Sequence, residues 1–291
     1  MFIYEVLNKE EIALNVSLKD YSSFKIGGTA DIMLFPSTIK KLVKILKYFK
    51  RHNIKFIVLG RATNVLICGD KEVVVSLKKL TKMTAKNNVV YAEAGTSLFS
   101  LNKFLCENEL SGLEKLYGIP ASVGGGIVQN CGAYSFSISD KLKTVTYFDG
   151  KKVKRVRKEK LDFSYRFSTF KEHSDYVVLG AEFKLRKGNK EDIQKRLNDI
   201  LTLRKNRQPY DLPSAGSVFK KCNGVVVSKL IDELGLKGKT IGGAMVSTKH
   251  AGFIVNYNNA TYEDVLGLID FIKKKIKLEK NIDLDLEIVI I

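Results

Sequence analysis

The sequence predicts an α+β chain built in at least two parts. Three observations carry this: its length, an alternation of β-branched runs with amphipathic stripes, and one Pro-punctuated break. At 291 residues the chain can bury two or three separate cores. β-Branched runs bounded by turn residues read as buried strands, and apolar positions recurring three and four apart read as helices. The break is RKNRQPYDLP (204–213), which closes a helical segment and opens a new pattern.

Residues 37–53 place Ile39, Leu42, Val43, Leu46 and Phe49 on one helical stripe, with lysines elsewhere around the helix and Ser37 as N-cap. A membrane-surface helix has the same pattern; in a chain of this length an ordinary domain helix is expected. Strands follow at 55–60, 72–77 and 88–95, then a helix over 97–109 and a long glycine-rich loop over 118–135. Residues 145–156 form a hairpin turning at Asp149-Gly150, a pair suited to positive φ. A strand over 176–185 and a helix over 191–204 lead into the break. Beyond it come helices at 225–234 and 262–278, a strand at 252–256 and a closing strand, IDLDLEIVII, over 282–291.

Hydrophobic residues make up 45% and charged residues 27%, an ordinary balance for a soluble globular chain. No stretch approaches the ~20 apolar residues of a membrane span, and MFIYEVLNKEE lacks the layout of a signal peptide. Cys68, Cys106, Cys131 and Cys222 form no CxxC pair, so reduced thiols in a cytoplasmic protein are expected. His52, His173 and His250 show no metal-ligand spacing, so no metal site is expected. The net charge of +18 fits nucleic acid, an anionic membrane face or small anionic ligands such as nucleotides.

Two phosphate-binding motifs fail. Gly238-Lys239-Thr240 looks like the end of a P-loop, but Glu233 stands where its first glycine belongs. GGGIVQ in the 118–135 loop stops short of GxGxxG at Gln129, and no flanking strand and helix are expected there. Glycines still permit close backbone approach and anion-binding amide concavities. The turn GRATN (60–64) after a strand offers the same, and two such loops in a basic chain point to a pyrophosphate-bearing cofactor. One further stretch, SAGSVFKK (214–221), sets Ser217 after a glycine with no histidine near it in sequence.

SFKIGGTAD (23–31), GRATNVL (60–66), GIPASVGGGIVQNCGAY (118–134) and SYRFS (164–168) occur in order. RKNRQPYDLPSAGSVFK (204–220), LIDELGLKGKTIGGAMVSTKHAGFIVN (230–256) and LDLEIV (284–289) complete the series. Together, over nearly the whole chain, they resemble the UDP-N-acetylenolpyruvoylglucosamine reductases (MurB family, shorter subtype), flavoenzymes of peptidoglycan precursor synthesis.

The resemblance implies a two-part FAD-binding region of the non-Rossmann, vanillyl-alcohol-oxidase-like (PCMH) type over 1–79 and 80–203. A C-terminal α+β substrate-binding domain over 204–291 follows, its final strand carrying Glu287 back to the active site. The implied reaction reduces UDP-N-acetyl-3-O-(1-carboxyvinyl)-glucosamine to UDP-N-acetylmuramate through tight, non-covalent FAD, with NADPH as reductant. Ser217 matches the proton donor, Arg166 the arginine holding the substrate carboxylate, and Glu287 the catalytic glutamate, expected to be protonated or balanced by a cation. Gly60, Arg61, Ala62, Thr63 and Asn64, with Ser122, Val123, Gly124, Gly125 and Gly126, are the expected pyrophosphate contacts, and Asn130, Gly132 and Ala133 lie nearby. Lys220 is assigned to the substrate's diphosphate side, and Tyr165 and Tyr134 to the flavin–substrate pocket.

This sequence departs from the family pattern at Ala62 and Thr63 (usually Gly and Ser), at Lys221 and Cys222, and at Val289, where an arginine is usual. Ala62 serves only if its position does not require strongly positive φ. The expected partner is a UDP-sugar enolpyruvyl ether, with no nucleic acid and no membrane insertion; the oligomeric state is open, a monomer being favoured. The alternatives are a degenerate relative, a related flavin oxidase of the same superfamily, and a nucleic-acid-binding protein driven by the charge.

Overall fold

The computed structural model describes residues 2–222 and 224–291. The chain forms two compact units that interleave in sequence. The first comprises Met1–Val16, Ala30–Arg61 and Lys71–Thr202; the second comprises Ser17–Thr29, Ala62–Asp70 and Leu203–Ile291.

In the first unit a four-stranded sheet runs in the order Ile12–Ser17, Thr29–Leu34, Lys71–Ser76, Ile57–Leu59, the last three mutually parallel. Parallel neighbours need a crossover, and the helix Ile39–Arg51 supplies it, burying Leu42, Ile45, Leu46 and Phe49. Thr38, not the expected Ser37, caps this helix by accepting from the Lys41 amide. Ser37 lies outside the helix because its amide is donated to Glu11 at 2.7 Å. A second sheet, wholly antiparallel, has the order Val153–Arg157, Leu142–Phe148, Val177–Lys184, Val89–Glu93, Met83–Lys86. Its first pair is the expected hairpin: Asp149 accepts from the amides of Lys151 and Lys152, and Gly150 takes φ +87°. Both sheets share one core that includes Leu34, Phe49, Val75, Val90, Phe148 and Phe183.

The glycine-rich stretch is not a loop. Residues Val123–Gln129 form a helix, against the expectation that none opens there. Ser122 caps it by accepting from the Gly125 amide at 3.3 Å, and Gly124, Gly125 and Gly126 stay out of the left-handed region. Close packing explains the glycines better than turn geometry does. A Cβ at Gly124 would come within 2.9 Å of the Ala94 Cβ, and one at Gly126 within 3.0 Å of the Cys131 sulfur.

The second unit holds an antiparallel sheet in the order Ser214–Ser217, Phe253–Asn256, Ala244–Val246, Thr240–Ile241. The helix Tyr262–Lys280 buries Val265, Leu268, Ile269, Ile272 and Ile276 in this unit's core. Thr261 and Asp264 form its capping box, and Asp264 also accepts from the Gly243 amide. The expected closing strand over 282–291 is cut to Val289–Ile290, plus one bridge from Leu286 to Phe219. It is interrupted because the segment changes partners, Leu286 pairing with Phe219 and Val289 with Val65, with a bend at Glu287 and Ile288 between them. Leu284 and Ile288, four residues apart, still share the core-facing side as period-two alternation requires. Among the described residues no helix is long and apolar enough to cross a membrane.

The N-terminal segment is tied to the first unit by Glu11, only 3% exposed. It accepts from the amides of Asn8 (2.9 Å) and Ser37 (2.7 Å) and from Lys41 Nζ (2.5 Å). Burial alone would raise this carboxyl; the hydrogen bonds from Lys41, Ser37 and Asn8 outweigh it and hold the group at about 2. The stability it adds is therefore complete above its ordinary value of 4.5 and is lost as pH falls through about 2. Glu11→Gln should cost about 2 kcal/mol in urea unfolding at pH 7. The gap to the parent should close between pH 4.5 and 2; a constant gap would show that the charge is not what matters.

Candidate active site

In the first unit the short helix Val123–Gln129 acts as a spine, about 10 Å long at 1.5 Å per residue. At its start Ser122 lies against Gly60, where any Cβ would run into the serine hydroxyl. Arg61 Nε donates to the Pro120 carbonyl at 3.2 Å, holding that turn to the same end. At the other end Asn130 adopts a left-handed cap, φ +45°, and its amide donates to the Ser164 carbonyl at 2.7 Å. Ser168 Oγ donates to the Val128 carbonyl at 2.6 Å. These bonds gather two small hairpins, Gly132–Ala133 with Phe136–Ser137 and Phe163–Ser164 with Phe167–Ser168.

The hairpin tips carry Tyr134, Tyr165 and Arg166. Arg166 Nη2 donates to the Gly132 carbonyl at 2.9 Å, and its guanidinium lies 5.1 Å from the Tyr165 ring centre. Tyr134, Ser135 and Arg166 all sit in the left-handed region, at φ +54°, +55° and +56°. Bulky side chains seldom adopt it, and such strain concentrates at functional sites. The structure thus brings Gly60, Arg61, Ser122, Val123, Gly124, Gly125, Gly126, Asn130, Gly132, Ala133, Tyr134, Tyr165 and Arg166 onto one helix and its flanks.

Ser217, Lys220 and Glu287 belong to the second unit with Ala62, Thr63 and Asn64. Ser217 pairs with Phe253, but the register shifts between Ser214 and Ser217, a bulge in which Gly216 takes φ +80°. Bulges re-aim side chains, which answers why a glycine precedes this serine. The chain then runs beside the C-terminal segment. Glu287 N–H donates to the Val218 carbonyl at 2.8 Å, Phe219 bridges Leu286, and the Lys220 amide donates to the Asp285 carbonyl at 2.9 Å. Residues remote in sequence are therefore adjacent rungs. Ser217 is half-buried and, among the described residues, its hydroxyl has no hydrogen-bond partner in the protein.

Ala62 breaks its condition: it is buried at φ +45°, a conformation that suits the glycine usual there. Its carbonyl accepts from the Ser23 amide at 3.3 Å, and Ser23 Oγ donates to the Ser214 carbonyl at 2.7 Å. Ser23 is a residue that sequence reasoning missed, since only the fold places it between the turn and the Ser217 strand. The Cys222 and Val225 backbones exchange reciprocal hydrogen bonds, and the Val289 side chain is exposed.

An FAD pyrophosphate suits the first unit's residues, though not by the expected amide concavity. The amides of Val123, Gly124 and Gly126 are already donated to the carbonyls of Thr96, Ala94 and Ser122. What fits instead is the lack of side chains at Gly60 and at exposed Gly125, whose amide is held only at 3.3 Å by Ser122 Oγ. Thr96, whose carbonyl accepts from the Val123 amide, has a buried hydroxyl without a partner among the described residues.

Residues 30–152 match the FAD-binding domain family, and residues 208–291 match the C-terminal domain of UDP-N-acetylenolpyruvoylglucosamine reductase. The fold and these matches define an FAD-dependent oxidoreductase. The chain is 42% identical over 98% of its length to the UDP-N-acetylenolpyruvoylglucosamine reductase of Clostridium novyi, covering 94% of that protein. It is 44% identical to that of Pseudothermotoga lettingae, covering 96% of this chain and 97% of the relative. The crystal structure of the Thermus caldophilus reductase (MurB) superposes with a TM-score of 0.79 at 33% identity, over 94% of this chain and 97% of that one. The chain belongs to the UDP-N-acetylenolpyruvoylglucosamine reductase family.

The bulge at Gly216 gives a direct test. A Cβ there has space, the nearest atom being the Thr63 carbonyl at 3.9 Å, so only the backbone conformation resists substitution. Gly216→Ala should cost about 1–2 kcal/mol in urea unfolding. An alanine variant as stable as the parent would show that the positive φ is not required.

Proposed function

We propose that this chain reduces the enolpyruvyl ether of UDP-N-acetylglucosamine to the lactyl ether, UDP-N-acetylmuramate, in the cytoplasm and as a monomer. In functional terms residues 1–79 and 80–203 bind FAD and 204–291 bind the UDP-sugar. FAD, when bound, carries reducing equivalents from NADPH to the enol ether. The observation that carries the reading is Ser217, held beside Glu287 by the Val218–Glu287 bond, with its hydroxyl uncommitted among the described residues.

Reduction at the vinyl carbon pushes charge into the adjoining carboxylate. Arg166 holds that carboxylate through a planar guanidinium that can bond it bidentately. A fixed cation aimed at developing charge is the larger catalytic contribution. Ser217 then delivers the proton to the carbon bearing the ether oxygen. A hydroxyl suffices without a histidine because the enolate-like intermediate is a strong base. Glu287 lies near this transfer in its protonated form, or balanced by a cation, since an ionised carboxylate would repel the substrate. Lys220 meets the diphosphate, and Tyr134 and Tyr165 line the pocket.

The visible spectrum of the purified protein, before and after anaerobic NADPH, tests the cofactor and the first half-reaction together. Two flavin bands that bleach are expected, and the enolpyruvyl ether should restore them. A protein colourless even after reconstitution with FAD would overturn the reading in favour of a degenerate relative. Ser217→Ala should leave bleaching unchanged and slow reoxidation by about 10²–10⁴-fold; equal loss in both steps would remove its role as proton donor.

A further inference from the structure

We infer that Asn64 is a positioning residue for Glu287, setting where that carboxyl stands relative to Ser217. The inference rests on the role proposed for Glu287 and gives Asn64, a member of the expected cofactor turn, a second task. Three backbone bonds pair the chain's end with the segment after Asn64. Val289 N–H donates to the Asn64 carbonyl (2.9 Å), Ile291 N–H to the Leu66 carbonyl (3.1 Å), and Cys68 N–H to the Ile291 carbonyl (2.7 Å). This parallel ladder, in register Val289 to Val65, stops two residues short of Glu287. The Asn64 side chain extends it: Nδ2 donates to the Glu287 carbonyl at 3.0 Å.

The backbone of Glu287 is thereby pinned on both sides. Its N–H is held by Val218, one residue from Ser217, and its C=O by Asn64. The first bond survives any change of side chain; the second depends on a primary amide of this length. Without it the Glu287 carbonyl loses the Asn64 donor, and the peptide plane after Glu287 gains freedom to rotate. The turn bearing Asn64 is itself fastened toward the Ser217 strand through Ser23, which contacts both the Ala62 and Ser214 carbonyls. Asn64 thus links two fixed lines of backbone: the Val218 bond sets the spacing of Glu287 from the Ser217 strand, and the Asn64 bond sets the orientation of its peptide.

The test uses the flavin-loaded enzyme with Asn64→Ala and Asn64→Asp, the latter placing an acceptor against the Glu287 carbonyl. Hydrogen–deuterium exchange of residues 284–291 should quicken in both, measured at saturating FAD because Asn64 also belongs to the proposed cofactor turn. Reoxidation by the enolpyruvyl ether should slow about 10²-fold, the scale of a ~1 Å misplacement, with the loss in kcat rather than KM and Asn64→Asp at least as slow as Asn64→Ala. Unchanged exchange at 284–291 would overturn the inference. So would loss of FAD with both half-reactions falling together, which would make Asn64 a cofactor contact only. Glu287→Gln, measured in parallel, separates the premises: reoxidation at the parent rate would remove the role proposed for Glu287, while exchange in the Asn64 variants still reports the tether.

Discussion

The tie between the chain's last residues and the segment 64–68 is the constraint on which the second unit's site depends. A two-residue parallel strand has little stability of its own. Here it is anchored by buried Leu66 on one side and buried Leu284 and Ile288 on the other. That anchoring turns an exposed C-terminal stretch into a fixed rail for Glu287. A tail held only by backbone bonds would fray, as termini generally do.

The first unit solves a comparable problem with close packing. A helix of seven residues is too short to be stable alone. Gly124 and Gly126 let it press against Ala94 and Cys131, and its burial substitutes for length. Because the helix is held, the groups at its two ends are held at a fixed separation. The strained tips at Tyr134 and Arg166 draw on the same rigidity, since left-handed backbone at bulky residues persists only where the surroundings over-determine it.

The departures from the family pattern divide by consequence. Val289 replaces an arginine at an exposed position in the ladder, where backbone bonds rather than the side chain hold the register. Ala62 differs in kind: its left-handed conformation is retained without the glycine that would adopt it freely, so neighbouring bonds from Ser23 must hold it. Cys222 pairs with Val225 through both its amide and its carbonyl, and the amide bond is one that a proline at this position could not make.

Local pattern by itself determined the long elements. Periodicity marked the helices Ile39–Arg51 and Tyr262–Lys280 and the strands Lys71–Ser76 and Val177–Lys184, because side-chain spacing reports the face that is buried. Ordered motifs marked the family and the residues Arg166, Ser217 and Glu287. The glycine-rich run misled, since glycine signals both a turn and a close approach, and only the neighbouring Ala94 and Cys131 distinguish them. The closing strand misled because its alternation is strand-like, but the segment changes partners midway, from Phe219 at Leu286 to Val65 at Val289. Tertiary structure alone decided the bulge at Gly216, the bridging by Ser23 and the grip of Asn64 on Glu287. These rest on bonds between positions up to 223 residues apart, and no local signal encodes which distant carbonyl a side chain will meet.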